Sequence, residues 1–161
     1  MRFKWVAEPP ATVGAVVDIQ RTIPLVPASE ADCLRRLADR TDTIDGRDDA
    51  SQWLTFLRAL GLIDRTASGY RRERVDLTAD ELVDRLLDGI YGAREIHDTL
   101  AAAAEPLSAD DLDGVVDLPT WERHHHADAE GVRRQRLRRL VDWFVLCGVV
   151  ERTPDGRWRK S

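Results

Sequence analysis

The sequence predicts a mainly α fold with short β-hairpins, an α+β chain built from two similar units. Three observations carry that prediction. The stretch Gly61-Leu62-Ile63-Asp64-Arg65-Thr66-Ala67-Ser68-Gly69 returns 87 positions later as Gly148-Val149-Val150-Glu151-Arg152-Thr153-Pro154-Asp155-Gly156. Each copy follows a segment whose apolar residues recur at helical spacing. Each is followed by an aromatic among arginines, Tyr70-Arg71-Arg72 in the first and Arg157-Trp158-Arg159 in the second. Such self-similarity marks one supersecondary unit used twice, here a helix feeding a tight hairpin. The expected division is residues 1–76 and 77–161. Units of about 80 residues have marginal cores alone, so packing against each other or dimerisation is expected.

The elements follow in order. Residues 1–10 read as irregular, ending in Pro9-Pro10. A helix over 11–20 groups Val13, Val16 and Val17, and Ile23-Pro24-Leu25-Val26-Pro27 breaks it. Ser29 is placed to cap a helix through about Ala38 with Cys33, Leu34 and Leu37 as its apolar stripe. Asp42 to Asp48 reads as a polar loop. Trp53, Leu54, Leu57 and Leu60, widened by Phe56, make the clearest helix of the first unit. Gly61 fits its C-terminal cap. Thr78 caps a helix with Leu82, Leu86 and Leu87 on one face. Tyr91-Gly92 interrupts the pattern, and a further helix runs through Ile96 and Leu100. Ser108 caps a short helix over 109–112, and 117–120 is a linker. From Val132 onward, Leu137, Leu140, Val141 and Phe144 make a strong apolar face leading to the hairpin 148–160.

Charge is more informative in its distribution than in its net value of -5. Of 24 basic residues 22 are Arg, and the 29 acids comprise 20 Asp and 9 Glu. Residues 131–161 hold nine basic and three acidic side chains, net +6, and the preceding 130 residues carry net -11. That asymmetry points to an anionic partner for the C-terminal end, or to an acidic patch in the same assembly. An Asp-rich, Lys-poor chain resembles the proteins of salt-loving archaea, although a high-GC genome also favours Arg over Lys. No apolar run approaches the roughly 20 residues that span a bilayer, and the basic, aromatic start Met1-Arg2-Phe3-Lys4-Trp5 lacks signal-peptide features. A cytoplasmic protein that does not engage membranes is expected. Cys33 and Cys147 sit inside helical apolar patterns without partners at ligand spacing, which reads as buried thiols.

Three helices and a terminal hairpin, twice over, resemble the winged-helix architecture. The residues carrying the resemblance are Trp53–Arg72 and Leu140–Arg159, and the pattern is similar to the tandem winged-helix proteins of haloarchaea. The resemblance implies that the third helix of a unit is its recognition helix and that the hairpin is a wing able to touch the phosphate backbone. The same fold also serves for dimerisation and protein docking.

On that reading the leading candidate is Arg133-Arg134-Gln135-Arg136-Leu137-Arg138-Arg139. Leu137 must face the core with Leu140 and Val141, so Arg134, Gln135, Arg138 and Arg139 form the exposed arc. Arg136 falls to one side and Arg133 near the core boundary. Guanidinium groups bond bidentately to phosphate and to guanine edges. The wing adds Arg157, Arg159 and Lys160. A solvated, salt-bridged helix face or a subunit interface is the competing explanation. The matching helix of the first unit opens with Arg47-Asp48-Asp49-Ala50-Ser51-Gln52. Two acids suit a helix start and oppose phosphate, so the first unit is expected to bind a protein partner, the second unit, or its own twin in a homodimer.

Other motifs carry less chemistry. His124-His125-His126 lack the spacing of a metal set, since successive helical side chains diverge by about 100°. His97 has no nucleophile beside it, Gly89, Gly92 and Gly114 form no phosphate loop, and Asp110, Asp111 and Asp113 need a converging group before acid–base chemistry arises. No catalytic residue, metal or cofactor is assigned. The expectation is a non-catalytic protein binding double-stranded DNA through its C-terminal unit as a transcriptional regulator. The alternative is a winged-helix protein–protein interaction or assembly module.

Overall fold

The computed structural model describes residues 5–116 and 129–161, with backbone alone at 129 and 130. The 117–120 linker and the His124–His126 triplet lie outside the described residues. The chain is mainly helical with two small antiparallel hairpins, and it divides into two compact units, Met1–Ile90 and Tyr91–Ser161.

In the first unit, α1 (Val13–Arg21) starts at Thr12, whose hydroxyl accepts the Ala15 N–H at 3.0 Å. Val16 and Ile19 are buried, and so is Gln20. The Gln20 amide donates to the carbonyls of Leu62 (2.9 Å) and Glu73 (3.0 Å), tying α1 to both ends of the hairpin. A buried amide so satisfied avoids the desolvation cost of an orphaned donor. The helix α2 (Glu30–Arg40) is capped by Ser29, as its sequence predicts, and buries Cys33, Leu34 and Leu37. Its Asp32 carboxylate bonds Arg36 at 2.8 Å and also pairs with Arg35, and the Arg36 bond foremost holds its pKa below the ordinary value. Helix α3 (Gly46–Ala59) starts inside the stretch expected as a loop, because the Asp49 carboxylate turns back to accept the Asp45 N–H at 3.0 Å.

The end of α3 explains the conserved-in-copy glycine. Gly61 has φ +69°, its N–H bonds the Arg58 carbonyl, and the Leu62 N–H bonds that of Leu57. This is a Schellman motif, which satisfies the last carbonyls of the helix and turns the chain. It delivers β1 (Ile63–Thr66), and Ala67-Ser68 turn it into β2 (Gly69–Arg72). Ala28, just before α2, exchanges both backbone bonds with Tyr70 at 2.8 Å and so lies beside β2 as an isolated one-residue bridge.

Helix α4 (Ala79–Gly89), which the 76/77 division would give to the second unit, groups with the first. Two contacts hold it there. A Cβ at Gly89 would meet the Ala59 carbonyl, whose carbon lies 3.0 Å away and oxygen nearer, so only glycine permits this approach. Arg85 bonds Glu81 at 2.9 Å and donates to the carbonyls of Leu60 (2.9 Å) and Gly61 (3.0 Å). A cation at a helix C-terminus also opposes the macrodipole. Arg85→Ala is expected to cost about 2 kcal/mol, the range of charged hydrogen bonds. In a thermal melt that is a fall of roughly 10 °C for a unit of this size, and an unchanged melting temperature would show the cap to be dispensable.

The second unit repeats the plan. Helix α5 (Ala93–Ala102) follows Gly92, whose φ of +83° sets the break seen in the sequence, and α6 (Ala109–Leu112) opens with a capping box of Ser108 and Asp111. The Ser108 backbone N–H, first among several causes, holds the Asp111 carboxyl below its ordinary pKa. Helix α7 (Ala129–Leu146) buries Leu137, Leu140, Val141 and Phe144, and also Trp143, which the sequence stripe omitted. It ends in the same Schellman pair, Gly148 to Val145 and Val149 to Phe144, with Gly148 at φ +79°. Then come β3 (Val150–Arg152) and β4 (Trp158–Lys160), with Leu107 paired to Trp158 as Ala28 is to Tyr70. The second hairpin is one residue longer, so Arg157 rather than Gly156 takes the register place of Gly69. Cys33 and Cys147 are both buried, and burial pushes the Cys33 thiol pKa up.

Candidate nucleic-acid interface

The apolar residues of α7 fix which of its cations face water. With Leu137, Leu140, Val141 and Phe144 inward, Arg134, Gln135 and Arg138 are exposed; Arg136 is half-buried at one flank, and Arg139, expected in the exposed arc, is half-buried too, because Trp143 one turn on is also inward. Arg134 and Arg138 are one helical turn apart, on one face, and neither has a hydrogen bond or ion pair with a described residue. Like charges at this spacing repel mildly, and an anion between them relieves that cost.

Arg133 is differently placed. Its guanidinium meets the Asp113 carboxylate at 3.0 Å, with roughly a fifth to a quarter of each side chain exposed. It anchors α7 to the turn after α6. Beside this pair a cavity of about 30 Å³, lined by Tyr91, Ile96, Asp113, Arg136 and Leu140 among others, has room for little more than one or two waters.

The wing separates its cations by strand alternation. Glu151 and Arg159 face each other across β3 and β4 and form an ion pair, and Arg157 pairs with Asp155 at 3.4 Å. The first hairpin has the same cross-strand pair, Asp64 with Arg71 at 3.6 Å. Lys160 is exposed and makes no ion pair with a described residue, and the same holds for Arg152, which the sequence reading left out. The signal for Arg152 was available in the alternation of β3, which sets it on the face opposite Glu151. All the basic wing residues carry a carboxylate neighbour or an open side chain, and that difference is invisible in composition.

Among the described residues no three His, Cys, Asp or Glu side chains gather into a metal cage, and no helix is long and apolar enough to cross a membrane. His97 is half-buried, its ring edge-on to Phe144 with centroids 5.5 Å apart and 3.3 Å from the Asp98 carboxylate.

The family model described as a halobacterial double winged helix domain matches residues 1–161, the whole chain. No curated protein and no solved structure matches it. With two helix–Schellman–hairpin units in the structure and this match across the full length, the chain belongs to the halobacterial double winged-helix family.

Proposed function

We propose that this double winged-helix protein is a non-catalytic DNA-binding regulator whose C-terminal unit contacts the duplex. The observation that carries the reading is the exposed Arg134–Arg138 pair on the helix that feeds the wing. In helix-turn-helix docking the second helix of the motif lies in the major groove, with its N-terminal residues reaching base edges. Arg134 and Gln135 lie in the N-terminal half of α7 and Arg138 at its middle. Arg139 and Arg136 flank the contact, and Arg133 acts through its bond to Asp113, holding the helix at its angle.

In the wing, Arg152 and Lys160 bind phosphate without first breaking a protein ion pair. Arg157 and Arg159 must exchange Asp155 and Glu151 for phosphate. Exposed pairs of this kind are worth little, so the exchange is feasible and adds little net affinity.

The test is a fluorescence-anisotropy titration of duplex fragments at several potassium chloride concentrations. Four phosphate contacts give a slope of log K against log salt of about -3.6. Saturable binding with a slope of that order supports the reading. Folded protein that binds no duplex at low salt overturns it in favour of a protein-docking module.

A further inference from the structure

We infer that the base of the first wing is a binding site for a small zwitterion, an α-amino acid with an apolar side chain. The site lies wholly within the N-terminal unit and does not depend on duplex contact by α7.

A cleft of about 350 Å³ opens beside the end of α3, lined by Arg58, Ile63, Asp64, Glu73, Val75 and Arg85 among others. Small-molecule sites span about 300–1,000 Å³, and this one falls at the small end. Its charged lining is two guanidiniums and two carboxylates, neutral in sum. A lone anion there meets Asp64 and Glu73, and a lone cation meets Arg58 and Arg85. A ligand carrying both charges satisfies both pairs, and Ile63 and Val75 offer an apolar wall.

These side chains have bonding capacity left. Arg58 is exposed and Glu73 half-buried, and neither side chain has a hydrogen bond or ion pair with a described residue. Arg85 uses Nε on Glu81 and Nη1 on the carbonyls of Leu60 and Gly61, so Nη2 takes no part in those bonds. Four-fifths of that side chain is buried, and a ligand meets a guanidinium already ordered. Asp64 lies 3.6 Å from Arg71, both about half exposed, a pair worth little and open to exchange.

The second hairpin forms without these charges. At the spacing of 87, Val145 stands in the place of Arg58. Ser161 takes the place of Glu73, since its N–H bonds the Val149 carbonyl as that of Glu73 bonds the Leu62 carbonyl. The same Schellman turn and strand pairing result with a valine and a serine. Nor does the macrodipole of α3 require Arg58, because Arg85 already bonds two carbonyls at that end.

The ligand's carboxylate accepts from Arg58 and from Nη2 of Arg85, and its ammonium donates to Glu73 and Asp64. A primary ammonium has three N–H donors for two carboxylates. A quaternary ammonium has none, and no aromatic face lines the cleft to replace them.

The test is isothermal titration calorimetry of the full-length protein with L-valine, L-leucine, L-isoleucine and L-methionine in turn. The tightest of the four is compared with its N-acetyl derivative, which lacks the ammonium, and its amide, which lacks the carboxylate. The same amino acid is titrated into Arg58→Gln and Glu73→Gln, whose fold is checked by thermal melts. The expected result is saturable binding at one site per chain, weakened roughly 10- to 150-fold by each derivative and in each variant, the range of hydrogen bonds to charged groups. Neither saturable heat nor a raised melting temperature with any of the four at millimolar concentration overturns the inference. Undiminished binding of either derivative also overturns it, because the cleft then takes one sign of charge only. Undiminished binding by both variants overturns it too, because the ligand then sits elsewhere.

Discussion

Charge reversal at Arg134 and Arg138 together is expected to lower duplex affinity on the order of 10²- to 10⁴-fold. Each exposed guanidinium that bonds phosphate or guanine contributes about 1.5–3 kcal/mol, so losing both costs about 3–6 kcal/mol before the repulsion of two new carboxylates. Neither side chain has a partner among the described residues, so nothing in the fold is broken. Surface substitutions away from caps and core change stability by about 0.5 kcal/mol or less. The signature is therefore a lost binding isotherm with an unchanged melting curve. Arg133→Ala separates the positioning role from the contact role. It frees Asp113 from its ion pair, so its melting temperature should fall along with its affinity. Full binding by the Arg134/Arg138 variant would remove the helix from the interface.

Salt sharpens the interpretation. At 1 M the Debye length is about 3 Å, so a net +6 end does not steer a distant duplex in concentrated salt. Under the proposed reading what survives there is contact, the bidentate geometry open to Arg134 and Arg138.

Much of this architecture is legible in the sequence because its signals are local. Helical period gives α2, α3, α5 and α7, Ser29, Thr78 and Ser108 mark three helix starts, and Gly61 and Gly148 announce the turn into each hairpin. The exposed Arg134 and Arg138 of α7 follow from its apolar residues taken together, Leu137, Leu140, Val141 and Phe144, whereas Trp143, also inward and absent from the expected stripe, draws Arg139 to the flank. What escapes is pairing at a distance. Ala28 and Leu107 bridge to the hairpins through a single residue pair each, which has no period to read. Gln20 is an ordinary helix residue until the hairpin brings two carbonyls to it. Arg133 finds Asp113 twenty positions away, and Glu151 finds Arg159 only once the register is set. The glycine alignment misleads for the same reason: the extra residue of the second hairpin moves Gly156 out of the place of Gly69.

Gly69, whose place Gly156 does not take in the second hairpin, is expected to tolerate not even one added methyl group. Gly69 has φ +124°, and a Cβ there would meet the Ala28 carbonyl, whose carbon lies 2.7 Å away and oxygen nearer. Both atoms belong to backbone, which cannot swing aside as a side chain can. Ala28 is fixed by its two 2.8 Å bonds with Tyr70, and Ser29 beside it caps α2. Backbone strain of about 1–3 kcal/mol and overpacking of about 1–3 kcal/mol together put Gly69→Ala at about 3–5 kcal/mol. In a 90-residue unit that is a fall on the order of 20 °C. Gly156→Ala is the internal control. It shares a positive φ, +84°, but meets nothing closer than the Arg152 guanidinium at 3.9 Å, so strain alone should cost about 1 kcal/mol. Thermal melts give the two magnitudes. Hydrogen exchange gives the location, because Gly69→Ala should expose the Ala28 and Tyr70 amides while those of Leu107 and Trp158 stay protected. Equal melting temperatures for the two variants would mean that the Ala28 strand yields without cost. The first wing would then be held by Gln20 and the Arg72 N–H bond to the Pro24 carbonyl, not by the narrow pair at its edge.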